Sequence, residues 1–146
     1  MSDPRRAAML EAYCRLFETL TPDRLEEFRA LCTDDVRFAD PFNDIAGIER
    51  FIALYRHMYK AVSEPRFLVL DRVLSPQAGY VRWQFTAVAR GRSVVIDGMS
   101  EIRFDTTTGR VREHIDHWDA AGQLYERLPV VGSLIRWLRR LFAARI

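Results

Sequence analysis

The second half of the chain constrains the fold most. From Arg66 to Asp119 the sequence runs as four segments of strand pattern, 66–74, 80–90, 93–105 and 110–119, with turns at 75–79, 91–92 and 106–109. Connections this short join antiparallel neighbours, because a parallel crossover needs a dozen or more residues. In the second segment Val81, Trp83, Phe85, Ala87 and Ala89 recur at every other position and share one face. An apolar sheet face has to be covered by another layer. The last segment is ambiguous by spacing alone, since Val111, Ile115 and Trp118 also fit a helical period. The turn before it and its short length favour a strand.

The first 65 residues supply the cover. Ala8, Ala12, Leu16, Phe17 and Leu20 recur at three- and four-residue steps and predict a helix. Thr21-Pro22-Asp23 ends it and starts a second, carrying Leu25, Phe28, Leu31 and Cys32. Thr33–Asp35 reads as a turn, 36–40 as a short strand stopped by Pro41, and 42–46 as a loop. Gly47 opens a third helix with Phe51, Ile52, Tyr55, Met58 and Tyr59 on its apolar side, and Glu64-Pro65 closes it. After the strands, 122–128 reads as a short helix, Pro129–Gly132 as a break and 133–145 as an amphipathic helix. The expected fold is α+β: a cone-shaped, curved antiparallel sheet wrapped around three N-terminal helices, plus a C-terminal helix. One domain spans 1–146, with 129–146 as an amphipathic helical tail.

Composition narrows the function classes. The 22 basic and 20 acidic residues alternate along most of the chain, giving a net charge of +2 and no basic face for nucleic acid. No apolar run is long enough to span a bilayer, and the N-terminus lacks the apolar core of a signal peptide, so a cytoplasmic location is expected. Cys14 and Cys32 stand far apart without metal spacing and read as buried free thiols. No P-loop, GxGxxG or GxSxG pattern occurs, which leaves nucleotide binding and serine-based hydrolysis without support.

Two places carry titratable groups in a chemically suggestive setting. Asp40 ends a strand between Phe38 and Phe42, where it can act as a base at an apolar pocket mouth or accept backbone hydrogen bonds at a turn. In His114–Asp119, strand alternation puts His114, Asp116 and Trp118 on one face and Ile115, His117 and Asp119 on the other. A His beside an Asp on one face can handle protons, or can tie the strand to the helices as a buried pair. The same alternation splits the histidines across the sheet, so no metal site and no cofactor are expected. Asp119 suits an N-cap for the helix that follows.

Three segments together, Thr33–Phe42 (TDDVRFADPF), Gly47–Tyr59 (GIERFIALYRHMY) and Ile102–Asp119 (IRFDTTTGRVREHIDHWD), make the chain resemble the nuclear transport factor 2-like superfamily, closest to its SnoaL-like and ketosteroid isomerase-like members. The resemblance covers nearly the whole chain. It implies a cone with one pocket and a homodimer formed through the sheet, and leaves the reaction open. It matches Asp40 to the isomerase general base. The isomerase hydrogen-bond donors fall at Phe17 and Ser100, neither of the expected type, with Tyr13 one turn before Phe17 on the same face. It turns Trp118 toward the pocket, and with it His114 and Asp116. Asp116 resembles the strand aspartate that serves as acid/base in SnoaL-type polyketide cyclases.

The resulting expectation is a catalytic set of Asp40, His114 and Asp116 and a ligand wall of Tyr13, Phe17, Phe38, Tyr55, Trp83, Phe85, Ser100 and Trp118. The ligand would be small, apolar or aromatic, and carbonyl-bearing, and the reaction an isomerisation, cyclisation or dehydration. The alternative is a noncatalytic binding or scaffold protein working through its dimer surface or its tail. For the tail, the sequence favours a helix packed across the cone or the dimer with its arginines in water, over one lying on an anionic membrane through 133–146.

Overall fold

In the computed structural model, residues 3–124 and 129–142 are described. Helix α1 (Pro4–Glu18) begins with Asp3, whose side chain accepts from the Arg5 amide, and with Pro4 at its first position. It is followed by a 3-10 turn (Pro22–Glu27), a four-residue α2 (Phe28–Leu31), strands β1 (Cys32–Ala39) and β2 (Asp44–Ala46), and helix α3 (Ile48–Ala61). Strands β3 (Ser63–Leu74), β4 (Gly79–Ala89), β5 (Arg92–Phe104) and β6 (Val111–His117) form the meander, and α4 (Ala120–Gln123) and α5 (Pro129–Phe142) end the described chain.

The six strands form one curved, unclosed sheet in the order β2-β1-β6-β5-β4-β3. The meander β3–β6 is antiparallel throughout, and β1 adds to β6 in parallel. This parallel joint departs from the all-antiparallel expectation. β1 and β6 are separated by α3 and four strands, a connection long enough to return the chain in the same direction. Its register sets Phe38 beside His114 and Ala39 beside Ile115.

The core lies between the concave sheet face and the helices. Tyr13, Phe28, Phe38 and Phe51 are among the largest fully buried side chains. Their rings pack edge-on or tilted, with Phe28–Phe51 centroids 5.0 Å apart and Phe38–Phe51 5.8 Å apart, the arrangement that ring quadrupoles favour.

Several boundaries differ from the sequence reading. The second helix is mostly 3-10. Thr33–Asp35 belong to β1, whose pairing with β6 is irregular between Cys32 and Arg37. Three residues of the expected loop form the edge strand β2, because Asp44–Ala46 fold back onto 37–39. Pro65 lies in β3, where a bulge interrupts pairing between Ser63 and Arg66; such irregularities accommodate a residue that cannot donate to the ladder. The β4–β5 turn is Arg90-Gly91, with both residues at positive φ (51° and 74°), rather than Gly91-Arg92. That is the backbone of a tight primed hairpin. The shift moves every β4–β5 pairing by two residues and leaves the faces unchanged.

At the C-terminal end, Asp119 caps α4 by accepting from the Gly122 amide. The rest of the expected 122–128 helix falls on 125–128, outside the described residues. Pro129–Gly132 is helical, with Pro129 opening α5, rather than a break. Val130, Leu134, Trp137, Leu138 and Leu141 are exposed, so α5 does not pack its apolar side on the cone.

Cys14 and Cys32 are free and buried. Burial pushes the Cys14 thiol from 9.0 up to about 11 and the Cys32 thiol up to about 12. A thiol that keeps its proton longer in the folded state favours folding fully below the unfolded value and loses that contribution as pH rises through the folded value. Stability measured by chemical denaturation is therefore expected to hold up to about pH 9 and to decline through pH 11. Replacing Cys32 with alanine should flatten the decline, and native protein should leave both thiols unmodified by alkylating reagents.

Candidate functional site

Apart from the tyrosines and the two thiols, the buried polar side chains among the described residues are Ser100 at 3% and His114 at 4% exposure. Both hold Asp116. Ser100 on β5 lies directly across from Asp116 on β6, and its hydroxyl donates to Asp116 Oδ1. His114 is two residues before Asp116 on the same face, and its Nε2 lies 2.7 Å from the same oxygen. The chain of bonds continues outward at both ends. Trp83 Nε1 donates to Ser100 Oγ at 2.7 Å, and the Tyr13 hydroxyl lies 2.7 Å from His114 Nδ1.

The direction of this chain follows from chemistry. Burial holds the Tyr13 phenol well above its ordinary value, with the neighbouring Cys32, Tyr55 and Asp116 adding to the effect. Asp116 Oδ1 can only accept, so His114 Nε2 carries the proton that faces it. In the neutral imidazole Nδ1 is then the acceptor, and the Tyr13 hydroxyl donates to it. Two donors from opposite sides thus fix one oxygen of Asp116, and the other oxygen has no hydrogen-bond partner among the described residues. The imidazole sits among rings, 5.0 Å from Phe38 and 5.6 Å from Phe17 between centroids.

Asp116 lines two adjoining hollows. The inner one, about 40 Å³, is walled by Tyr13, Phe17, Tyr55, Trp83, Ser100 and His114 among others. It has room for a few waters at most. The outer one, about 540 Å³, is large enough for a small organic ligand. Its wall includes Phe38, Asp40, Tyr55, Trp83, Phe85 and Trp118. Every residue expected at the site therefore lines one hollow or the other, and Asp116, Tyr55 and Trp83 line both.

Asp40 shares the outer hollow because of the parallel joint. With Phe38 beside His114 and Ala39 beside Ile115, Asp40, the residue just after β1, comes level with Asp116. Its carboxylate is already occupied: Oδ1 accepts from the amides of Phe42 and Asn43 at 2.7 Å each, and Asn43 Nδ2 lies 3.0 and 3.2 Å from the two oxygens. This is the turn-holding arrangement that the sequence also allowed. Tyr55 is the converse case. Burial, then the charges of Asp116 and Asp40, hold its phenol well above the ordinary value, and its hydroxyl has no hydrogen-bond partner among the described residues.

From α3 the sequence reading took only Tyr55 into the wall and missed Arg50, Leu54 and Met58, which line the outer hollow together with His57, whereas Arg56 points to Glu26. It also missed Gly98. A Cβ built there would stand 2.5 Å from two ring atoms of Trp83, so the indole lies flat against the glycine backbone. A lone glycine opposite a tryptophan in a hairpin signals such close approach, but pairing Trp83 with Gly98 required the correct turn. No group of three or more His, Cys, Asp or Glu suited to a metal occurs among the described residues.

The SnoaL-like domain family model matches residues 13–114. The chain belongs to this family. The SnoaL-like chain also resembles solved structures of the nuclear transport factor 2-like superfamily. One, assigned as a SnoaL-like polyketide cyclase from Jannaschia sp. CCS1, superposes with a TM-score of 0.71 at 17% identity over 84% of this chain and 92% of that one. A nuclear transport factor 2-like protein of unknown function from Burkholderia pseudomallei K96243 gives 0.68 at 21% identity over 99% and 100%. An epoxide hydrolase from M. tuberculosis gives 0.67 at 17% identity over 94% of each chain. At these identities the likeness establishes the fold of the SnoaL-like chain and not its reaction. No curated protein matches the sequence.

Gly98→Ala is expected to lower stability by about 1–3 kcal/mol, because the indole must leave its seat. Urea unfolding would measure the loss. Near-ultraviolet circular dichroism should change with it, since Trp83 would be displaced from Ser100.

Proposed function

We propose that the SnoaL-like chain is an acid–base enzyme acting on a small, apolar, carbonyl-bearing molecule bound in the outer hollow, with Asp116 as the group that moves the proton. The observation that carries this reading is the anchoring of Asp116. Ser100 and His114, both buried, converge on one of its oxygens and leave the other unpaired beside an aromatic cavity. A carboxylate fixed in this way can accept a proton from the carbon next to a carbonyl and return it elsewhere on the same molecule. Isomerisation, cyclisation and dehydration all share that step.

The remaining residues take roles from their geometry. His114 positions Asp116, and Tyr13 fixes the tautomer of His114. Tyr55, whose phenol stays protonated, donates to the carbonyl oxygen as charge develops there, a place the family's isomerases fill with other residues. Phe38, Phe85, Trp83 and Trp118 flank a flat substrate. Asp40 shapes the mouth and holds the 40–43 turn, so it ranks below Asp116 as a base. No cofactor enters this scheme. The homodimer implied by the family would cover Leu68 and Met99, exposed on the outer sheet face.

Solvent exchange tests the proposal without knowledge of the natural substrate. Flat cyclic ketones and enones incubated with the protein in deuterated water should take up deuterium at the carbon beside the carbonyl. Asp116→Asn should abolish uptake while ligand binding persists. Tyr55→Phe should slow it by about a hundredfold with little change in KM, as loss of an oxyanion donor does. Exchange by Asp116→Asn at the wild-type rate would overturn the assignment. Binding without exchange across the panel would favour the noncatalytic reading.

A further inference from the structure

The exposed apolar residues of α5 are independent of the cavity. At about 3.6 residues per turn, Val130, Leu134, Trp137, Leu138 and Leu141 fall on one side of the helix and Arg136 and Arg140 on the other. The apolar side is left open: Val130 is 82% exposed, Leu134 57%, Trp137 52% and Leu141 59%. Scattered apolar residues at a surface need no explanation, but a continuous helical stripe marks a contact.

The charge of this segment indicates what is contacted. Residues 129–146 contain four arginines and no acidic residue, in a chain where acids and bases otherwise intermix. These arginines account for the net charge of +2; without them the chain is acidic. A second copy of α5 would bring two all-basic helices together. An anionic lipid surface neutralises them and receives the leucines and Trp137 at the depth where indoles settle. At 1.5 Å per residue the 14-residue helix is about 21 Å long, short of the ~30 Å hydrocarbon layer. No helix among the described residues is long and apolar enough to cross a membrane. The geometry fits a helix lying in the plane of the interface.

We propose that α5 docks the protein on anionic membrane surfaces, with Val130, Leu134, Trp137 and Leu141 entering the lipid and Arg136 and Arg140 meeting the headgroups. Arg136, which donates to the Ser133 hydroxyl, is likewise exposed, on the opposite side of the helix.

Co-sedimentation of the full chain with vesicles tests this. Vesicles of equal parts phosphatidylcholine and phosphatidylglycerol should bind the protein at low salt, with a blue shift of Trp137 emission that Trp137→Phe removes. Phosphatidylcholine vesicles should bind it far less. Arg136→Glu/Arg140→Glu should weaken partition at least about thirtyfold, since each arginine near an anionic surface is worth about a factor of five. Leu134→Asp, at an exposed position that leaves the cone intact, should also abolish binding. Failure of the full chain to bind anionic vesicles, or equal binding by the arginine variant, overturns the proposal. So does a change from dimer to monomer in Leu134→Asp without any vesicle binding, which would assign the stripe to a second copy.

Discussion

The structure depends on satisfying one buried imidazole. His114 stands on a central strand with aromatic rings on several sides, where an unpaired ring nitrogen would cost about 1–3 kcal/mol. Its two bonds run in different directions. Nδ1 reaches Tyr13 on α1, 101 residues away, and ties the first helix to the sheet. Nε2 reaches Asp116 on its own strand. The angle at which α1 crosses the sheet, the tautomer of the imidazole and the aim of the carboxylate are therefore set together. Disturbing any one of them leaves a buried polar group without its partner.

The same arrangement distinguishes the two carboxylates. Both face one apolar hollow, and both raise the phenol of Tyr55. Asp40 is bound up in its own turn through both oxygens, so its negative charge is largely committed to backbone and amide donors. Asp116 is gripped from below at a single oxygen. A rigid anchor on one side and an open acceptor on the other is what proton transfer requires, because the reacting atom must be held in place without being already saturated. The edge of this site is shaped by packing: Trp83 can reach Ser100 only because Gly98 lets the indole lie against the backbone.

Much of this was legible in the sequence, and the reasons are local. Period-two alternation put His114, Asp116 and Trp118 on one face, and the structure keeps that face inward for His114 and Asp116. Side-chain direction on a strand follows from chirality and needs no knowledge of neighbours. The aromatic spacing of the helices likewise identified Tyr13, Phe17, Phe28, Phe51 and Tyr55 as inward groups. The dual character of Asp40, catalytic candidate or turn holder, was visible beside Pro41. What failed were boundaries and breaks. Proline at 65 and 129 read as an interruption, yet a bulge absorbs the first and a helix start uses the second.

By itself the sequence determined the long helices and the meander strands, the inward face of those strands and the two-sidedness of α5, because these depend on residue spacing along one stretch of chain. Only the tertiary structure decided that β1 joins β6 in parallel, that Ser100 stands across from Asp116, and that α5 leaves its apolar side open. Those facts depend on register between strands far apart in the chain and on which surfaces remain after the core is filled. Both are properties of the packed whole, and no single segment encodes them.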